Sequence, residues 1–186
     1  MRRLILQTSV SIDGYVAALD RSHPWNEGGS GDPRIKQWIL ESVWGAGAHL
    51  MGRVTYEEMS TAWPGSTSDF APPMNEIPKV VFSKTLEHAD WADTTIARGD
   101  LTDEIVRLKS EPGKDLIAYG GARFDQSLSR LGLVDEYRLM VQPAALGEGQ
   151  GLPLFSDLPA PLHLDLVDAT TCSTGMAIHV YRPRRS

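Results

Sequence analysis

Three times along this chain a short apolar segment ends in a junction built from glycine, hydroxyl and cation. Ala48–Met51 runs into Gly52-Arg53-Val54-Thr55, Lys79–Phe82 into Ser83-Lys84-Thr85, and Leu116–Tyr119 into Gly120-Gly121-Ala122-Arg123. Four largely apolar residues between such breaks have strand length, and the first and third are followed by helical spacing. Strand-then-helix units of this kind restrict the chain to the α/β class, with helices packed on a sheet.

The remaining segments extend that pattern. Leu4–Val10 reads as a strand and Asp13-Gly14 as a turn after it; residues 18–33, with Pro24, Gly28, Gly29, Gly31 and Pro33, read as a long loop. Asp32-Pro33 is an N-cap followed by proline in the first turn, and Ile35, Trp38, Ile39, Ser42 and Val43 continue at helical spacing. A helix is expected from Gly52 to about Met59, a second long loop over Trp63–Pro78, and a helix over Asp100–Ser110. In the last of these, Asp103 and Glu104 open the helix and Arg107 and Lys109 close it, which suits the helix dipole. Another helix after Gly121 is expected to bury Phe124, Leu128 and Leu131 and to stop at Gly132. The C-terminal third changes to strand alternation over Asp135–Gln142, His163–Thr170 and Met176–Tyr181. The expected architecture is a mixed sheet with helices on both faces, ending in antiparallel strands.

Composition narrows the possible functions. The 186 residues are 41% hydrophobic and contain no linker-like stretch, so a single domain over residues 1–186 is expected. No run approaches the length of a membrane span, and the apolar residues after Arg2-Arg3 are too few for a signal peptide. One cysteine, Cys172, excludes an internal disulfide and a thiolate metal cluster. A soluble, cytoplasmic protein without a membrane partner is the expectation. With 18 Lys+Arg against 24 Asp+Glu the net charge is −6, which argues against nucleic-acid binding. The small basic tail of Arg182, Arg184 and Arg185 does not reverse this.

The chemistry is expected at the three junctions. In an open α/β sheet the carboxyl ends of the strands form the ligand crevice. Glycine lets backbone come close to a ligand, and helix N-termini offer free N–H groups to an anion. Arg53 and Arg123 each fall in the first turn of an expected helix, where a cation opposes the dipole. A bound phosphate explains both arginines; side chains that bend away into solvent are the plainer explanation. Neither a Walker loop nor a full G-x-G-x-x-G is present. The five histidines are scattered with no H-E-x-x-H, so no metal site is expected, and Ser11 and Ser83 lack the nucleophile elbow of a hydrolase. A zinc deaminase is excluded by the absence of Pro-Cys-x-x-Cys.

Taken in order, Ser11-Ile12-Asp13-Gly14-Tyr15-Val16-Ala17, Met51-Gly52-Arg53-Val54-Thr55-Tyr56-Glu57, Lys79-Val80-Val81-Phe82-Ser83-Lys84-Thr85-Leu86 and Tyr119-Gly120-Gly121-Ala122-Arg123-Phe124 resemble the dihydrofolate reductase superfamily. Leu133-Val134-Asp135-Glu136-Tyr137, Pro143-Ala144-Ala145-Leu146-Gly147-Glu148-Gly149 and Pro153-Leu154-Phe155 fit best the branch of the C-terminal reductase domain of the bifunctional riboflavin-biosynthesis protein. The resemblance covers nearly the whole chain. It implies a three-layer α/β/α fold with a central mixed sheet and a C-terminal antiparallel hairpin.

It also implies an NADPH-dependent reductase of a small heterocyclic substrate. The nearest named activity is reduction of 5-amino-6-(5-phosphoribosylamino)uracil; dihydrofolate reductase is the alternative enzyme, and a non-catalytic NADPH sensor the alternative of another class. By the same analogy Gly52, Arg53, Val54 and Thr55 hold cofactor phosphate, with Arg53 near the adenosine 2′-phosphate and Ser83 and Lys84 across that pocket. Gly120, Gly121, Ala122, Arg123 and Phe124 would surround the pyrophosphate. Asp13 and Asp32 are the candidate proton donors; Asp13 reads equally as a turn residue, and Asp32 also as the helix N-cap. A homodimer is expected by resemblance.

Overall fold

The computed structural model describes residues 1–25 and 32–184. The expected loop at Asn26 and Glu27-Gly28-Gly29-Ser30-Gly31, and Arg185 of the tail, lie outside the described residues. Ten strands and five helices follow in the order β1 (Leu4–Ser11), β2 (Tyr15–Ala18), α1 (Pro33–Trp44), β3 (Ala48–Gly52), α2 (Arg53–Ala62), α3 (Ala71–Glu76), β4 (Lys79–Phe82), β5 (Thr94–Ala97), α4 (Leu101–Ser110), β6 (Leu116–Ala118), α5 (Ala122–Arg130), β7 (Glu136–Gln142), β8 (Gly151–Pro153), β9 (Leu164–Thr171) and β10 (Ala177–Pro183).

Eight strands make one sheet in the order β5-β4-β3-β6-β1-β7-β10-β9, and β2 pairs with β8 in a separate two-stranded sheet. The six strands from β5 to β7 run parallel. β10 returns antiparallel to β7, and β9 pairs antiparallel with β10. The main sheet is therefore mixed, with an antiparallel C-terminal hairpin.

Because successive strand residues face opposite sides, each buried strand feeds two cores. Leu4, Leu6, Leu50, Val80, Leu116 and Ala118 pack with Ile105 and Leu108 of α4 and Phe124 and Leu128 of α5. Their neighbours face the other way: Met51 and Val81 pack with Val43 of α1, Tyr56 of α2 and Met74 of α3, and Ile5 joins Ile117. Helices thus cover both faces in three layers, as the α/β reading expects.

The structure adds four elements to that reading. β2 and β8 are short and support each other through a register shift. β5, Thr-Thr-Ile-Ala, lacks the apolar run by which strands are recognised in sequence. α3 lies inside the expected loop over residues 63–78; its prolines sit in the first turn, where no intrahelical N–H is lost. Leu131 corrects another expectation: α5 ends at Arg130, and Leu131 is its C-cap, 46% exposed. Among the described residues no helix is long and apolar enough to cross a membrane.

Candidate active site

The carboxyl ends of β3 and β6 lie side by side, and Gly52 N–H donates to Gly120 O at 3.2 Å. β3 continues directly into α2, and β6 leads into α5 through Tyr119, Gly120 and Gly121, so the N-termini of α2 and α5 converge. Their contact depends on missing side chains. A Cβ on Gly52 would lie 3.3 Å from Phe124 Cβ, and one on Gly121 would lie 3.2 Å from Thr55 Oγ1. Both distances are tighter than ordinary packing, so glycine sets the separation of the two helices. Gly120 holds φ at +109°, a conformation that L side chains rarely adopt.

How the helices begin separates α2 and α5 from the others of similar length. α1 is capped by Asp32, whose carboxylate accepts from Arg34 N–H, and α4 by Asp100, which accepts from Thr102 and Asp103 N–H. α2 and α5 start at Gly52 and Gly121, and no side chain caps either one. Two sets of free N–H groups and two positive dipole ends therefore face the same space.

That space is a cleft of about 660 Å³. Gly52, Arg53, Val54, Thr55, Gly120, Gly121, Ala122, Arg123 and Phe124 all line it. Val16, Ala17 and Leu152 close one side from the β2–β8 sheet, which the sequence reading did not contain. Thr8, Tyr119 and Asp125 form further parts of the wall. Arg53 extends along α2 and pairs with Glu57 at 2.9 Å, both side chains half exposed. Arg123 is exposed at the start of α5.

Four predicted site residues do not line the cleft. Ser83 and Lys84 follow β4, where Phe82 is in register with Gly52 and its ring packs 4.9 Å from Phe124. They stand one strand away from Arg53. Ser83 Oγ accepts from Thr85 and Leu86 N–H, which fixes the turn. Asp13 accepts from Ser11 Oγ at 2.6 Å, Leu146 N–H at 3.0 Å and Gly147 N–H at 2.8 Å. It ties the turn after β1 to the loop before β8, and these bonds, Ser11 first, hold its carboxyl below the usual range. Asp32 caps α1 and pairs with Arg34 at 2.8 Å; the Arg34 guanidinium lowers its carboxyl to about 2. Both carboxylates are ionised at neutral pH and engaged in holding local structure.

Elsewhere, His49 is fully buried with Nε2 3.0 Å from Pro73 O, and burial pushes its imidazole down to about 4. No cluster of metal-ligating side chains is present among the described residues. A second cavity of about 370 Å³ lies beside the amino ends of β1 and β7, away from the cleft. Its Arg3, Arg138 and Arg182 all bond to the buried Glu136 carboxylate.

The sheet order and the helices on both faces give an α/β fold like that of dihydrofolate reductase. Solved structures share this fold. A protein of Shewanella sp. PV-4, provisionally assigned to riboflavin biosynthesis, superposes with a TM-score of 0.79 at 20% identity, covering 98% of this chain and 99% of its own. The deaminase/5-amino-6-(5-phosphoribosylamino)uracil reductase of Thermotoga maritima gives 0.69 at 16% identity, over 98% of this chain and 57% of that one. Dihydrofolate reductase of Enterococcus faecalis, solved with NADP(H), gives 0.66 at 12% identity over 98% and 97% of the two chains. The RibD C-terminal domain profile matches residues 2–178, and the chain belongs to that family. The uncharacterized protein YyaP of Bacillus subtilis (strain 168) is 30% identical over 183 residues, 97% of this chain and 94% of that protein.

Proposed function

We propose that the chain is an NADPH-dependent reductase of a small heterocyclic substrate, with reduction of 5-amino-6-(5-phosphoribosylamino)uracil as the reference reaction. The observation that carries this reading is the pair of uncapped helix N-termini, at Gly52 and Gly121, facing one cleft. Such a site suits a pyrophosphate: free N–H groups donate, glycines admit the approach, and both dipole ends favour negative charge. Arg123 adds a cation, and Thr55 adds a hydroxyl. By the resemblance, Arg53 would meet the 2′-phosphate that separates NADPH from NADH, with Ser83 and Lys84, one strand further out, on the other side of it.

The nicotinamide supplies the hydride when bound. The protein's part is to orient that ring against the acceptor carbon and to exclude water. Val16, Ala17 and Leu152 provide an apolar wall for this, while Thr8 and Tyr119 bring polar groups to the same space. Asp13 and Asp32 remain the proton-donor proposal from the sequence; both are ionised in the free protein at neutral pH, so donation requires that substrate binding bring them to the cleft and protonate them there.

The resemblance to dihydrofolate reductase keeps pterins as a second substrate class. A non-catalytic NADPH-binding role is favoured by one observation, that neither Asp13 nor Asp32 lines the cleft. Absorbance of NADPH, followed with a ribosylaminopyrimidine phosphate and separately with dihydrofolate, separates these readings. Oxidation dependent on the first substrate supports the proposal, and oxidation dependent on the second transfers it to pterins. NADPH that binds and is consumed with neither favours the sensor.

A homodimer is also proposed. β9 is an eight-residue edge strand whose Leu166 and Val167 are 56% and 47% exposed on opposite faces, an uncovered edge of the sort proteins usually shield. Sedimentation equilibrium giving a monomer at micromolar concentration refutes it.

A further inference from the structure

Asp125 occupies a position where α5 would be expected to bury an apolar side chain. It lies in the first turn, is 1% exposed, and shares the inward face with Leu128 and Ser129. Neither carboxyl oxygen has a hydrogen-bond partner among the described residues. The carboxyl reaches under the glycine pair, and a Cβ on Gly120 would lie 3.5 Å from Asp125 Oδ2. Asp125 is also part of the cleft wall, on the helix whose N-terminus is left without a cap.

These features conflict if the acid is charged. A carboxylate sealed from water, with no donor to it, carries the full cost of desolvation. It would also set a negative charge one turn from the amides that receive an anion, and buried charges are little screened. Resting on the dinucleotide site proposed above, we propose that Asp125 is a positioning residue of that site: as a neutral acid it leaves the N-terminus of α5 clear for a pyrophosphate, and on ionising it closes it. Burial pushes its carboxyl well above the usual range, consistent with the neutral form in the free protein.

Tyr137 on β7 interacts with it directly, and the titratable and charged groups that share the cleft wall with it are Tyr119 at the end of β6, Arg123 on α5 itself, Arg53 and Glu58 on α2, and Arg21 and His23 after β2. Burial raises the Tyr137 hydroxyl to about 12, and Asp125 adds to that rise. Because so many groups are near, the test must read Asp125 directly.

The full-length protein, labelled with ¹³C at aspartate carboxyls, is titrated from about pH 5 to about pH 10 alone, with NADPH, and with inorganic pyrophosphate. The Asp125 signal is assigned by its loss in Asp125→Asn. The expected result is a neutral carboxyl at pH 7 whose midpoint moves up by about one pH unit with either ligand, a tenfold coupling. Asp125→Asn is expected to lose the fall in NADPH affinity that the unchanged protein shows at alkaline pH. A buried acid with a purely structural role would keep the same midpoint with and without ligand. That result, an Asp125 ionised at pH 7, or one neutral throughout in every sample overturns the proposal. Failure of the unchanged protein to bind either ligand overturns the dinucleotide site itself and this proposal with it. The midpoint is read on the unchanged protein, so it does not depend on the stability of the variant.

Discussion

Alanine at Gly120 and at Gly121 should produce opposite defects. Gly120 has φ +109°, so a Cβ there is strained whatever the space around it, and its nearest contact, 3.5 Å to Asp125 Oδ2, is ordinary. Strain of this kind costs about 1–3 kcal/mol. In a chain of this size each kcal/mol corresponds to roughly 2–4 °C in Tm. Gly121 has φ −60° and ψ 165°, which alanine adopts freely. Its Cβ meets Thr55 Oγ1 at 3.2 Å, which a shift of the hydroxyl by a few tenths of an ångström relieves. The stiffer unfolded chain offsets that contact by about 0.4–1 kcal/mol. Gly121→Ala should therefore melt close to the unchanged protein while its methyl intrudes on the cleft and weakens a charge-assisted N–H contact at the start of α5. That contact is worth about 1.5–3 kcal/mol, roughly tenfold to a hundredfold in affinity. Calorimetric melting and NADPH titration of both variants test the pair. Unchanged NADPH affinity in Gly121→Ala, or unchanged Tm in Gly120→Ala, refutes the claim that these glycines set the cleft.

Three further outcomes follow from the same geometry. Arg53→Ala should weaken NADPH by about 1.5–3 kcal/mol and NADH far less, because only one carries the 2′-phosphate; equal losses by calorimetry would move that phosphate elsewhere. His49 ionises near pH 4 when folded against 6.5 in the unfolded chain, so its contribution to stability is complete above pH 6.5 and is lost as pH falls to 4. The loss over that interval is about 3 kcal/mol, and His49→Phe should flatten the urea-measured stability there. Asp32 has a folded value of about 2, lowered from 3.8, so its contribution is present above pH 3.8 and is lost on acidification toward 2; Asp32→Asn should make acid unfolding in that window shallower.

The parts of the site that sequence made legible are those where one residue type does one thing. Gly52 and Gly120-Gly121 end apolar strands and open helices, so they could be located before any fold was known. Asp32 was equally legible as an N-cap, because Asp before Pro at a helix start has few other uses. What stayed hidden depends on pairing between distant segments. β2 and β8 make a cleft wall only because Tyr15–Ala18 meets Gly151–Pro153, and both are too short to stand out. β5 was missed because Thr94 and Thr95 break the apolar run, although β4 holds them in register. Asp125 did carry a signal: it falls three residues before Leu128, on the side of α5 that Leu128 buries. A charged residue there is a conflict between local pattern and fold, and such conflicts gather at functional sites.

The central claim is that the uncapped starts of α2 and α5, at Gly52 and Gly121, hold a phosphorylated dinucleotide. Isothermal titration of the purified protein with NADPH, and in parallel with NADH, tests it most directly. The account predicts saturable binding of NADPH and distinctly weaker binding of NADH. No binding of either would contradict it and leave a dihydrofolate reductase-type scaffold whose cleft serves another ligand.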